Sequence, residues 1–113
     1  MSPAEALSLI HAEALGESGL VVDARMGKDI DPARVERIVS AIQTVANGLS
    51  GEGSLDRKLA ASIHILGFEV LRQVESWARG REIPKAVFDS LLNLEGAVED
   101  LFFDISRQHD DGS

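Results

Sequence analysis

Few side chains in this chain can do covalent or metal chemistry. There are three histidines (His11, His64 and His109) and no cysteine. The absence of cysteine excludes a disulfide framework, a thiolate metal site and a thiol nucleophile. His64 lies between Ile63 and Ile65 in a richly apolar stretch, with Glu69 a turn away. Counting outward from a chain reversal near Arg81 sets His64 level with Val98 and Glu99. His64, Glu95 and Glu99 are therefore the candidates for a histidine–carboxylate cluster between two helices, able to orient a small polar ligand. A metal reading needs more than this. Bundle di-metal sites use Glu-x-x-His on each of two helices, whereas Ala61 stands three residues before His64 and no second pair exists. No metal and no cofactor are expected.

Nucleophilic and phosphate chemistry lack their motifs. There is no Gly-x-Ser-x-Gly elbow. Gly51-Glu52-Gly53-Ser54 has neither the Lys-Ser/Thr ending nor the preceding strand of a phosphate loop. Glu95/Glu99 and Asp100/Asp104 are carboxylate pairs one helical turn apart. Such pairs can act as acid and base when buried, but on a charged helix they read as a solvated face. No catalytic residue is assigned, and the expectation is a protein that is not an enzyme.

Binding chemistry is better represented. Trp77 and Phe88 flank the reversal, with Arg79, Arg81 and Lys85 around them, a composition typical of interface anchors. Phe102 and Phe103 are adjacent, about 100° apart on a helix, so a single buried face cannot easily hide both rings. Charge is polarised as well. Residues 86–113 hold one Arg and seven Asp+Glu, a net −6 of the chain's −8. The sequence thus assigns a partner-binding surface to Trp77, Arg79, Arg81, Lys85, Phe88, Asp100, Phe103 and Asp104, facing a protein with a basic surface.

The elements that must position these groups are helical. The chain has 113 residues, 44% hydrophobic and 27% charged, enough for one domain. Five aromatics and no Tyr disfavour a β-sandwich or barrel. A first helix is predicted from Pro3 to Gly16, with Ser2 as N-cap and Gly16 and Gly19 as stops. Residues 19–30 read as a loop. A second helix is capped by Asp31, opened by Pro32 and buried along Val35, Ile38, Val39, Ile42, Ala46 and Leu49. Its opposite face carries Arg34, Arg37, Gln43, Thr44 and Asn47. A third helix is predicted from a Ser54 cap to Ala78 or Arg79. Its seam of Leu59, Ile63, Leu66, Val70 and Trp77 is interrupted by Gln73, and Ile65, Phe68 and Leu71 form a second stripe. The fourth starts at Pro84 and reaches about Arg107 on an unbroken seam of Val87, Leu91, Leu94, Val98, Leu101 and Ile105. Phe88, Leu92 and Phe102 widen it. Residues 108–113 read as a disordered tail.

The expected architecture is an all-α antiparallel four-helix bundle, with a long hairpin formed by its third and fourth helices. One domain spans 1–113: an N-terminal helix (1–18), the loop, a three-helix core (31–107) and the tail. In that hairpin Gly67 would face Gly96, and Arg57 and Lys58 would lie beside Asp104 and Ile105. The apolar surface of the third and fourth helices exceeds what the thin first helix can cover, so a homodimer is expected.

The acidic balance disfavours binding to nucleic-acid phosphates and to anionic lipid. No apolar run is long enough to span a bilayer. With no secretory-type start, a cytoplasmic setting is expected. The functional expectation is a helical protein-protein interaction module: an adaptor, an inhibitor or immunity protein, or a chaperone-like protein. The alternative is a small-molecule-binding bundle with its pocket between the third and fourth helices.

Overall fold

The computed structural model describes residues 1–48 and 56–111, with side chains of the last helix described through residue 103. These residues are helical, with no strand among them, and four helices pack together. Helix α1 spans Pro3–Leu15, α2 Leu20–Arg25, α3 Pro32–Gly48, α4 Arg57–His64, α5 Val70–Trp77 and α6 Lys85–Asp111. Between α4 and α5 lies a π-helical segment, Ile65–Glu69, so these pieces run as one rod. Helix α1 packs against α3 and α4, and α6 packs against α3, the π segment and α5.

The helix starts follow local chemistry. Ser2 accepts the Glu5 N–H on its hydroxyl at 3.1 Å, and Pro3 occupies a position where no N–H is needed. Asp31 accepts the Ala33 N–H at 2.9 Å. The cap of α4 is Asp56, whose carboxylate accepts the Leu59 N–H at 3.0 Å, rather than the expected Ser54, which lies outside the described residues. A carboxylate at this position also complements the positive end of the helix, which Arg57 and Lys58 oppose.

Residues 19–30 are not simply a loop. Leu20, Val21 and Ala24 are buried, and their spacing closes the short helix α2. It ends in a Schellman turn: Lys28 N–H donates to the Asp23 carbonyl at 3.0 Å and Gly27 N–H to that of Ala24 at 3.2 Å. Gly27 takes φ +72°, which a side chain would disfavour. The last helix, for its part, continues beyond Arg107 to Asp111, so the expected tail begins in helix.

One core collects residues from every helix. On α6, Val87, Leu91, Leu94, Val98 and Leu101 are all buried, as their heptad spacing required; Ile105 lies outside the described side chains. On α3 the burial is centred slightly off the expected stripe. Ala41 and Val45 are buried, while Val39 and Ala46 are half-buried.

The π segment resolves the polar break in the third predicted helix. Leu66, Val70 and Val74 are buried while Gln73 is not, so the seam takes two four-residue steps in succession. In a regular α-helix those steps overshoot two full turns by about 80°. A wider π turn, with i→i+5 hydrogen bonds, absorbs the surplus and keeps the seam on the core. Ile65 and Phe68 are left half-buried at its edge.

Gly67, inside this segment, has a definite packing role. A Cβ there would lie 2.8 Å from the Val98 side chain on α6, closer than any real contact allows. The expected Gly67–Gly96 apposition is therefore incorrect: Gly67 meets Val98, and a Cβ on Gly96 would find nothing within 4 Å. Residues 78–84 form a longer connection than the tight turn assumed in the counting, which misplaces the partner by about one helical turn. The expected meeting of Arg57 and Lys58 with Asp104 and Ile105 falls outside the described side chains.

Candidate functional site

A concave corner lies where α5 ends and α6 begins. Trp77 is the last residue of α5, and its carbonyl accepts the N–H groups of Gly80 at 2.9 Å and Arg81 at 3.0 Å. That double contact folds Arg81 back over the indole. The guanidinium carbon sits 4.4 Å from the Trp77 ring centroid, within cation–π range. Arg81 also faces Asp29 at 3.7 Å, a loose pair whose carboxylate is fully solvated. Asp29 and Ile30 come from the segment before α3, and Ile83, Pro84 and Val87 from the start of α6. With Trp77 and Arg81 they line a hollow of about 370 Å³.

The lining combines one aromatic ring, Trp77, with the apolar Ile30, Ile83, Pro84 and Val87. One cation, Arg81, and two carboxylates, Asp29 and Glu82, complete it. Such a surface can seat an apolar side chain and orient it with one charged contact. Among the described residues no group of three or more histidine or acidic side chains could hold a metal ion.

The sequence-assigned partner residues fall into separate places. Trp77 and Arg81 line the corner. Arg79 and Lys85 are exposed beside it in the chain; Lys85 pairs with Asp89 at 2.8 Å, which pushes its ammonium pKa up through that hydrogen bond. Phe88 does not line this hollow; Val87 does, and Phe88 is half-buried against the core. Asp100 lines a second hollow, between α3 and α6, with Val39, Gln43, Leu92 and Gly96. Phe103 is exposed farther along α6. The side chain of Asp104 lies outside the described residues.

His64 is exposed and stacks at a tilt on Phe68, with ring centroids 4.8 Å apart. Glu95 is half-buried and Glu99 exposed. Neither hollow is lined by His64, Glu95 or Glu99, so the expected ligand cluster is not assembled around a described cavity.

An ionic cluster that the sequence reading missed joins α1, α2 and α3. Arg34 does not lie on a solvated face, as its grouping with Arg37 and Gln43 implied. Its Nε and Nη2 donate to the two Glu13 carboxylate oxygens at 2.8 and 2.7 Å. Nη1 donates to Asp23 Oδ2 at 2.7 Å and Nη2 also to the Ser18 carbonyl at 2.9 Å. Glu13 in turn accepts the Leu20 N–H at 3.1 Å, one of the free donors at the start of α2. Glu13 and Asp23 raise the guanidinium pKa, and Arg34 holds the Asp23 carboxyl below its usual value. One signal for this cluster was available. Ala6, Ile10, Glu13 and Ala14 share the buried side of α1, and a carboxylate within an apolar stripe demands a cation. Two further contacts tie the helices: His11 Nδ1 and Ser62 Oγ lie 3.2 Å apart, and Arg25 pairs with Glu69.

Comparison with known proteins returned no match, whether to family models, to curated protein sequences or to solved structures.

Proposed function

We propose that this chain is a non-enzymatic helical interaction module, of the adaptor, inhibitor or chaperone-like kind, that binds a protein through its Trp77 corner. The bundle in this reading is antiparallel, with the α4–α5 rod and α6 as a hairpin, and it works in the cytoplasm. The carrying observation is the half-buried Trp77 beneath Arg81 in a concave, partly apolar hollow. Tryptophan and arginine are the residues most enriched among interface hot spots. The acidic surface of α6, with Glu99 and Asp100 exposed, complements a basic partner and speeds encounter with it.

The test is capture by the immobilised chain, identification of the bound protein by mass spectrometry, and titration with that protein in purified form. Trp77→Ala removes the anchor and is expected to weaken binding at least about thirtyfold, the loss of one hot spot, while circular dichroism stays unchanged. Equal affinity of wild type and variant refutes the reading. A second reading, small-molecule binding, rests on the size of the corner, which falls at the low end of ligand-site volumes. Its polar handle would be Arg81 rather than His64.

A further inference from the structure

We infer that the Trp77 corner takes an arginine side chain of its protein partner, and that Arg81 holds that seat in the free chain. The inference rests on the interaction-module reading and deepens it by naming the group that the corner recognises.

The first observation is the pose of Arg81. Its guanidinium carbon lies 4.4 Å from the centroid of the Trp77 ring, and one Nη faces Asp29 at 3.7 Å. An aromatic face with a carboxylate beside it suits a planar cation. The ring quadrupole attracts the charge, and the carboxylate accepts its N–H groups. The internal residue shows which chemistry the seat fits.

The second observation is how loosely that residue is held. The Asp29 side chain is fully exposed and that of Arg81 is 41% exposed, so water screens their pair. Among the described residues the Arg81 side chain has no further ion pair or hydrogen bond. The reversal does not depend on it either. Main-chain bonds close the turn, with the Trp77 carbonyl accepting the N–H groups of Gly80 and Arg81 at 2.9 and 3.0 Å. The guanidinium can leave the ring while the corner keeps its shape.

Charge selects the occupant. The lining sets two carboxylates, Asp29 and Glu82, against the one guanidinium. Glu82 is exposed and has no cationic partner among the described residues. The cations close by in the chain do not line the hollow: Lys85 is paired with Asp89 at 2.8 Å, Lys28 faces Asp23 at 3.7 Å, and Arg79 is exposed. Once Arg81 swings out, both carboxylates stand uncompensated beside the ring. A neutral or anionic side chain would leave them so, and a cationic one neutralises them. Ile83 and Pro84 offer apolar surface to its stem. Arginine suits the seat better than lysine, because its planar, weakly hydrated head both stacks on indole and forks onto a carboxylate. The net charge of −8 draws a basic segment toward the molecule.

Trp77 is the single tryptophan, so one indole N–H resonance reports on the corner. The full chain is titrated with acetyl-Gly-Arg-Gly amide while that resonance is followed. A saturable shift is expected. Arg81→Ala should bind the peptide at least about threefold more tightly, because an exposed cation–π competitor is gone. Arg81→Gln should act in the same direction. Asp29→Asn/Glu82→Gln should weaken binding at least about threefold, as the loss of two exposed ionic contacts does. The Lys peptide of the same form should bind more weakly, and the Leu and Glu peptides should not shift the resonance. Absence of a shift in both wild type and Arg81→Ala overturns the inference. So does binding that Arg81→Ala leaves unchanged or weakens, or a Lys, Leu or Glu peptide that binds as tightly as the Arg peptide. Trp77-dependent capture of a protein without the peptide response counts only against this inference. Peptide binding that tightens in Arg81→Ala, without any protein captured through Trp77, counts only against the interaction-module reading.

Discussion

Replacing Arg34 by Leu tests the physical account of how α1, α2 and α3 are held together. The side chain makes four hydrogen bonds, three of them to carboxylate oxygens. Its side-chain exposure is 21%, against 11% for Glu13 and 16% for Asp23, so water partly screens the cluster without solvating it freely. Leucine keeps the apolar stem but strands the Glu13 carboxylate in a mostly buried place. Removing one partner of a buried pair costs about 3–5 kcal/mol, and the residual exposure argues for the lower bound, about 3 kcal/mol. For a chain of this size that corresponds to a fall in Tm of about 12 °C. Urea unfolding followed by circular dichroism measures it, with the m-value checked for two-state behaviour. Glu13→Gln retains an acceptor for the Leu20 N–H while removing the charge that strands. The double variant Glu13→Gln/Arg34→Leu is therefore expected to recover part of the loss. A cost below about 1 kcal/mol for Arg34→Leu, the range of exposed pairs, would refute the claim that this cluster organises the fold.

Two further outcomes are expected. The Asp23 carboxyl is held below its usual pKa of 3.8, chiefly by the Arg34 hydrogen bond, so its contribution is fully present above that value and is lost as pH falls through the lowered folded pKa. Asp23→Asn should flatten the acid limb of a stability–pH curve measured by urea unfolding, and an unchanged limb would count against the assignment. Gly67→Ala must force a methyl group against Val98 and should cost about 1–3 kcal/mol, as overpacking does; Val98→Ala in the same chain should restore part of that by opening room. Equal unfolding midpoints for wild type and Gly67→Ala would show that α6 does not pack where Val98 is placed.

Much of this was legible along the chain, and the reasons are local. Ser2–Pro3 and Asp31–Pro32 announce helix starts because their side chains and missing N–H groups serve the first turn wherever it forms. The heptad seam of α6 declares its buried side because spacing alone sets which residues share a helix face. Composition around the reversal singled out Trp77 and Arg81 together with Arg79, Lys85 and Phe88, but only the folded turn sets Arg81 over the indole. Other features required neighbours that are distant in sequence. Arg34 looks like a surface residue until α1 brings Glu13 and α2 brings Asp23 to its fork, 21 and 11 residues away. Leu20–Arg25 looks undecided because six residues cannot pay for a helix alone, and burial of Leu20, Val21 and Ala24 against the other helices supplies the difference. Gln73 looks like a flaw in a seam until the π segment turns it away from the core. The two glycines look alike as letters. Only the packing of α6 separates them, closing Val98 over Gly67 and leaving Gly96 open, because the space beside a missing side chain is a property of what folds against it.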